Sequence, residues 1–414
     1  IQAVTMEDIK AAYEKYIKGK PFVMTSFVPK GQLDLVAEGS VNAGIVEEDL
    51  TNAAEVKAAD VAEEPIVKTP TNFDRSVKPP LGPDPTVTLP QVWTSSLGNG
   101  MKVWGIEHNE LPLIQYSIII DAGHNTEDMS KAGLASLTAS LMNEGTRNKT
   151  PEELEDAIGL LGASIRISGG DDNISVSVST LAKNFEKRIA LVEEMLLEPR
   201  WDEEQFSLAK NRIINNLKRN KADPSYLAST TLNKLLFGEN NILAVETVGT
   251  EESVSSMTTD DLRAFYSKYF TPSIAKLLVT GNVTREMVEK AFAGLSEKWQ
   301  SAEVEVPKVT VPVPPAKSEI YFVDVPGAKQ SVIYIGAPSL PRTSPDYYPL
   351  YVANYKLGGS FNGLFNLILR EEKGFTYGAR SGVSGSVDYG VFTASSMVRT
   401  NSTLESVTIF KTEM

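Results

Sequence analysis

Two stretches of the chain carry side chains whose type and spacing bear on chemistry. In the first, Gly133 to Thr146, Ser136 and Ser140 stand one helical turn apart with Ala139 between them. Serine hydroxyls carry no charge to hold a dication and need a neighbouring base to become nucleophiles. Both serines also fall inside a helical pattern rather than on the strained elbow that exposes a catalytic serine, so a Ser-His-Asp triad is disfavoured. The second stretch, Leu357 to Gly378, is a glycine-rich loop (Gly358, Gly359, Ser360, Phe361, Gly363), then a helical run that closes on Arg370, then Tyr377 at the start of a strand. A phosphate loop needs Lys and Ser or Thr after its last glycine, and Leu364 and Phe365 stand there instead. The glycines then serve either a tight turn or the close approach of another backbone.

Composition narrows the chemistry further. The chain has two histidines, His108 and His124, and no cysteine. The histidines lie sixteen positions apart on either side of a strand pattern, which gives no i, i+4 ligand pair, and they are expected to be surface or strand-end residues. Zinc here would need Asp or Glu ligands in an arrangement that the sequence does not display. Without cysteine there is no disulfide and no thiolate nucleophile. A formal net charge of −13 disfavours nucleic acid as a partner and leaves neutral or basic peptides open. No run reaches the roughly 18 apolar residues of a membrane span. At 414 residues the chain exceeds what one core supports, so two or three domains are expected.

The elements that must position these residues can be read from pattern. Leu134, Leu137 and Leu141 recur at helical spacing and Gly145 is a natural left-handed stop. Thr150-Pro-Glu-Glu153 forms a capping box with proline at the first helical position, and Gly162 ends that helix. Alternation at Ala163, Ile165, Ile167 and again at Ile174, Val176, Val178, with Gly169 and Gly170 between, predicts a hairpin. Helices are expected over 184–197, 203–220, 224–236, 260–269 and 286–295, with a strand at Ala275. Further along, Ile320–Val323 and Ser331–Gly336 read as strands, Ser344–Leu357 and Phe361–Glu372 as helices, followed by two strands and a helix from about Thr403.

An internal repeat organises the whole. Thr5 to Tyr16 followed by Phe22–Val28 returns 253 residues later as Thr258 to Tyr269 followed by Ala275–Thr280, matching in register at Thr, Asp, Ala, Tyr, Lys and Tyr. The expected organisation is the tail of an earlier module over 1–30, an acidic then proline-rich linker over 31–90, a first module over 91–305 and a second, truncated module over 306–414. Strands, then helices, then a strand within one unit predict an α+β fold, a mainly antiparallel sheet with helices packed on one face.

In combination these stretches resemble the pitrilysin/insulinase (M16) zinc peptidases, built from tandem LuxS/MPP-like modules. Their comparable helix carries His-x-x-Glu-His, and those positions fall here on Ser136, Ala139 and Ser140. Their third ligand, a later glutamate, falls on Asn216. The resemblance is therefore to the inactive half of such an enzyme, of the bacterial insulinase-like type, a wording the linker from Asn72 to Pro83 shares. It implies that Arg370 positions a substrate peptide, that Tyr377 donates a hydrogen bond toward the developing oxyanion, and that Gly358, Gly359, Ser360 and Phe361 line the substrate. It further implies no cofactor in this chain, zinc in a partner half on the same polypeptide or a separate subunit, unfolded peptides as substrates, and a bacterial periplasm or cell-envelope setting. The alternative is a scaffold or assembly subunit of the processing-peptidase or core-protein type, with no part in catalysis.

Overall fold

The structure is a computed structural model. It describes residues 4–26, 28–29, 31–42, 44, 74, 77, 80, 82–84, 86–311 and 317–414. The chain divides into two compact units, residues 1–85 and 86–414.

In the first unit, α1 (Met6–Tyr16) opens on a capping box: Thr5 Oγ1 accepts from the Asp8 N–H at 3.2 Å, and the Asp8 carboxylate accepts from the Thr5 N–H at 2.8 Å. No residue of α1 is buried. Of the strand expected over Phe22–Val28, residues 22–26 have no regular structure and no strand partner among the described residues, and Phe27 lies outside them. The acidic tract from Glu47 to Glu64 and Pro65, Pro70, Pro79 and Pro85 also lie outside them.

In the second unit the chain runs β1 (Val92–Ser96), β2 (Lys102–Glu107), β3 (Leu113–Ile120), α2 (Leu134–Leu141), α3 (Pro151–Leu160), β4 (Ser164–Gly169) and β5 (Ile174–Leu181). Helices α4 (Phe185–Leu197), α5 (Glu203–Asn220), α6 (Pro224–Phe237), α7 (Glu251–Ser256) and α8 (Thr259–Tyr269) follow. Then come β6 (Ala275–Gly281), α9 (Arg285–Ala291) and α10 (Ala293–Lys298). The six strands form one sheet in the order β1-β2-β6-β3-β5-β4. All neighbours are antiparallel except β2 and β6, which run parallel. Alternation decides the faces. Ile114, Tyr116, Ile118 and Ile120 of β3 and Leu277 and Val279 of β6 point inward, onto Phe185, Ile189 and Val192 of α4 and Phe265 of α8. Their partners between them face out. Gly281 closes β6 with φ +131°, and a Cβ there would come 2.1 Å from the Leu113 carbonyl oxygen, so the crossing of β6 over β3 admits only glycine.

The expected 286–295 helix is two helices. It breaks at Phe292, whose buried ring stands edge-on to Tyr116 at 5.4 Å and 6.3 Å from Phe185. Seating that ring in the aromatic cluster outweighs continuing the helix.

The second module comprises β7 (Gln330–Ser339), α11 (Tyr347–Asn354), α12 (Leu364–Asn366), β8 (Thr376–Gly385), β9 (Gly390–Arg399) and α13 (Thr403–Glu413). Its sheet order, β7-β9-β8, repeats the β3-β5-β4 order of the first module. Both modules are thus α+β layers, as the patterning implies. Three expectations fail locally. Ile320–Val323 is not a strand: among the described residues the segment has no strand partner, and Ile320 and Phe322 are exposed. The helix from Ser344 is α-helical only over α11 and widens into a π turn at Tyr355–Gly359. The helix expected from Phe361 begins at Leu364 and widens likewise at Leu367–Glu372, ending where Gly374 takes φ +63°.

The modules meet through α6 and β7. A Cβ at Gly336 would come within 3.0 Å of the Leu232 and Leu236 methyls, and Phe237 stands edge-on to Tyr389 at 5.7 Å.

Candidate functional site

Helix α2 has no side-chain cap of its own, because its N-cap is Gly133 at φ +100°. Its free N–H groups are served from a distance. The Glu127 carboxylate accepts from Gly133 N at 2.7 Å and from Ala135 N at 2.5 Å, an anion against the positive end of the helix. One side of α2 packs Leu137 and Leu141 on Phe206 and Ala209 of α5 and on Leu262 of α8. The other side presses on the edge strand β4, where a Cβ at Gly169 would come 3.0 Å from the backbone of Ala135 and Ser136. Asn143 pins the junction. Its side-chain amide donates to the Ile167 carbonyl at 2.9 Å and accepts from the Ile167 N–H at 3.0 Å, so it occupies the outward main-chain groups of β4 at that residue.

Ala139 is fully buried, and Ser136 and Ser140 are half-buried on the side that α5 approaches. What meets them is a cation. Arg212 reaches Ser140 Oγ at 3.4 Å and lies 3.7 Å from the Glu144 carboxylate. Asn216, one turn further along α5, is exposed and accepts from Arg219. Two hydroxyls, a methyl and an amide with a guanidinium at hand do not fit zinc, which takes charged or imidazole donors and is repelled by a neighbouring cation. Among the described residues no cluster of three His, Asp or Glu side chains could hold a metal ion.

The second constellation is built by two buried asparagines. Asn354 donates to the Ser381 carbonyl at 3.1 Å and accepts from Ser381 Oγ at 2.6 Å. Asn366 donates to the Phe361 carbonyl at 2.8 Å and accepts from Ala379 N at 3.2 Å. Both amides fasten the glycine loop to β8. Close approach, one of the two readings left open by the sequence, is what the loop requires: a Cβ at Gly358 would lie 2.5 Å from Ser381 N, and one at Gly363 would lie 2.9 Å from Gly358 Cα. Gly359 packs likewise on Asn354, and Ser360 accepts through its carbonyl from Gly363 N at 3.0 Å.

Phe361 lies 67% exposed beneath Arg370, whose guanidinium carbon is 4.6 Å from the ring centroid. Arg370 Nη1 lies 3.1 Å from the Glu371 carboxylate but without hydrogen-bond geometry, so a buried donor is left without a partner. Tyr377 sits in a bulge, where β8 loses register with β9 between Thr376 and Ala379, and its side chain is 93% exposed. Thr376 and Ser396 hold the bulge, each donating to the Gly378 carbonyl, at 2.9 and 3.0 Å.

The structure thus brings Arg370 to Phe361, and Ser140 to Arg212. No hydrogen bond, ion pair or ring contact among the described residues joins Ser136, Ser140 or Asn216 to Arg370 or Tyr377. Sequence reasoning missed Asn354 and Asn366, although a lone Asn at a helix end beside glycines is a signal, since Asn is a weak helix former that seeks backbone partners. Of the two positions expected for the histidines, surface or strand end, His124 takes the second, just past β3. It is 1% exposed rather than a surface residue, because the turn at Gly170 to Asn173 and the segment from Ile242 to Val245 cover it. His108 is exposed, as expected.

No helix among the described residues is long and apolar enough to cross a membrane. Two family descriptions match the chain: "Insulinase (Peptidase family M16)" over residues 106–246 and "Peptidase M16 inactive domain" over 256–414. The second takes in β6, a strand of the first sheet, and α8, which packs on that sheet. Among solved structures, the peptidase M16 inactive domain from Pseudomonas fluorescens is 26% identical with a TM-score of 0.72, covering 78% of both chains. Among relatives, the uncharacterized zinc protease YmxG of Bacillus subtilis is 23% identical over 298 residues, 71% of each chain. The non-peptidase homolog YmxG of Helicobacter pylori is 23% identical over 273 residues, 66% of this chain and 62% of its own. Cytochrome b-c1 complex subunit 1 of Bos taurus, a subunit of a larger assembly by its name, is 22% identical over 221 residues, 52% of this chain and 46% of its own. A resemblance to the inactive half alone is therefore too narrow, because the insulinase description matches the first module as well. With both descriptions matched in chain order on the fold they describe, the chain belongs to the M16 peptidase family.

Proposed function

We propose that this chain is the non-catalytic half of an M16-type zinc endopeptidase, closing over a zinc-bearing half and lending it Arg370 and Tyr377. The observation that supports this reading most is the state of those two side chains. Arg370 pairs its guanidinium with Glu371 and with the Phe361 ring, but one covered N–H has no hydrogen-bond acceptor among the described residues, and Tyr377 is lifted clear of its sheet on a bulge that four hydrogen-bonding groups maintain. Buried donors left unpaired are costly, and a phenol held in water packs against nothing, so neither arrangement is accounted for by folding alone. An arginine matches the carbonyl and carboxylate groups of a peptide, and a phenol can donate to the oxygen that gains charge as a scissile carbonyl is attacked. The first module, with Arg212 against Ser140, has no equivalent chemistry, and Asn143 already occupies part of its open strand edge. Hydrolysis belongs to the partner half, and substrates are unfolded peptides.

The test is Tyr377→Phe assayed with the zinc-bearing half. Turnover of an unstructured peptide should fall by about tenfold to thousandfold, the range expected for loss of an oxyanion donor, with the melting temperature unchanged. The scaffold reading draws support from the non-peptidase homolog and the cytochrome b-c1 subunit among the relatives. It expects unaltered turnover in that assay, with loss of assembly only when buried contacts are disturbed.

A further inference from the structure

His124 lies on the turn His124–Thr126 that follows β3, and both its ring nitrogens face acceptors. Nδ1 is 2.7 Å from Glu127 Oε2, while Nε2 is 3.2 Å from the Ile242 carbonyl oxygen and 3.0 Å from that of Val245. A neutral imidazole carries one N–H, so it would leave one ring nitrogen lone pair to lone pair with an acceptor in a site closed to water. Against a carboxylate at Glu127, which also accepts from Gly133 N and Ala135 N, the doubly protonated ring is the form that satisfies every partner.

We infer that His124 is a buried imidazolium that locks the joint between the two modules, and that losing its proton releases that joint. Two elements depend on the ring directly and a third on the backbone of its turn. Glu127, its carboxylate partner, also caps α2 through Gly133 and Ala135. The backbone of the turn is stitched to the β4–β5 connection, His124 N donating to Gly170 O at 2.9 Å and Asn125 N to Asp171 O at 2.8 Å. The segment from Ile242 to Val245, which follows α6, is held by Nε2. The connection then reaches the second module: Asp172 Oδ1 accepts from Asn125 at 2.8 Å and from Ser386 Oγ, across the joint, also at 2.8 Å.

The groups that face this site are almost all acidic. Glu127 comes from its own turn, Asp171 and Asp172 from the β4–β5 connection, Glu246 from the segment after α6, and Tyr389 from the β8–β9 turn of the second module; Tyr226 of α6 lies beyond Glu246. His124 is the cation that both Asp171 and Glu246 sense. Burial pushes both carboxyls up, and burial alone would pull the imidazole down. The bond to Glu127, its charge and the two carbonyls outweigh that, and His124 ends above its ordinary 6.5. A base raised in the folded state contributes fully below the unfolded value of 6.5 and loses its contribution as pH rises through the folded value. The raised carboxyls act in the same direction at lower pH. Alkaline conditions should therefore loosen the joint.

With only two histidines in the chain, nitrogen NMR of the imidazole rings reads the claim directly. The full chain at about pH 7 should show the His124 ring with both nitrogens protonated, and His124→Gln should remove that signal. Melting temperatures of the wild type should decline from about pH 6.5 upward while His124→Gln stays low and flat over the same range. Amide exchange at residues 170–173 and 386–390, corrected for its intrinsic pH dependence, should rise with the same midpoint in the wild type. A singly protonated His124 ring at about pH 6.5, or identical pH slopes for wild type and variant, overturns the inference. Should His124→Gln fail to fold, the ring titration of the wild type decides alone.

Discussion

Arg370 and Phe361 form a unit in which the ring orients the guanidinium and the guanidinium shields the ring. At a half-exposed site such a contact is worth about 0.5–1 kcal/mol. Phe361→Ala should lower stability by no more than about that amount in urea unfolding, and yet weaken peptide binding in the assembled enzyme, read as a rise in KM. Asn366→Ala should behave oppositely. It strands the Phe361 carbonyl and the Ala379 N–H in a covered place, so a loss of about 1–3 kcal/mol is expected in the same unfolding experiment. The glycine loop, the helix and the strand start around Arg370 and Tyr377 could be read from local pattern, whereas the roles proposed for the two side chains rest on the M16 resemblance. The setting of His124 could not be read so. Its ring partners include residues 118 and 121 positions away, and a lone histidine in a turn has no periodicity to betray where it points.

At the level of elements, what could be read was what is local. The capping box at Thr150, the proline at the start of α3 and the left-handed stops at Gly145 and Gly162 all stand where the sequence placed them. The π turns escaped because they widen a helix by one residue per turn, which apolar periodicity does not resolve over five or six positions. Ile320–Val323 has strand-like residues, but a strand exists only where a neighbour accepts its hydrogen bonds, and that is a tertiary matter. Gly358→Ala tests the tightness of the loop. The intruding methyl would meet the Ser381 main-chain nitrogen as well as the Ser381 hydroxyl and the buried Phe365 ring, so about 1–3 kcal/mol of destabilisation is expected by thermal melting. Helix α2 offers a gain-of-binding experiment. Installing Ser136→His with Ser140→His should give no measurable zinc binding by calorimetry while Arg212 remains, and weak binding once Arg212→Met removes the opposing charge.

On the scale of the whole molecule, stability is unevenly shared. The first module surrounds a large continuous core, whereas the second rests on a small cluster around Phe365, Leu369 and Phe410. Between them, residues 317–329 carry no regular structure and expose Ile320 and Phe322. Limited proteolysis should cut there first, leaving a resistant fragment that ends shortly after α10, visible by mass spectrometry. The two-module organisation was visible in advance because the Thr258 repeat and the proline runs mark it in composition. The joint was not, since it is made of Gly336 against Leu232 and Leu236, and of an acid accepting from a serine more than two hundred residues away.

The placement of β6 has a further consequence. It is the last strand of the first sheet to leave the ribosome, yet it lies between β2 and β3, which have been waiting since residue 120. Until it arrives those two have no shared neighbour, and the early strands can make only the β1-β2 hairpin and a separate β3-β5-β4 sheet. Assembly of this layer should thus be a late, slow, long-range event during synthesis, leaving unpaired strand edges open to chaperones, or to misassociation, for more than half the time needed to make the module.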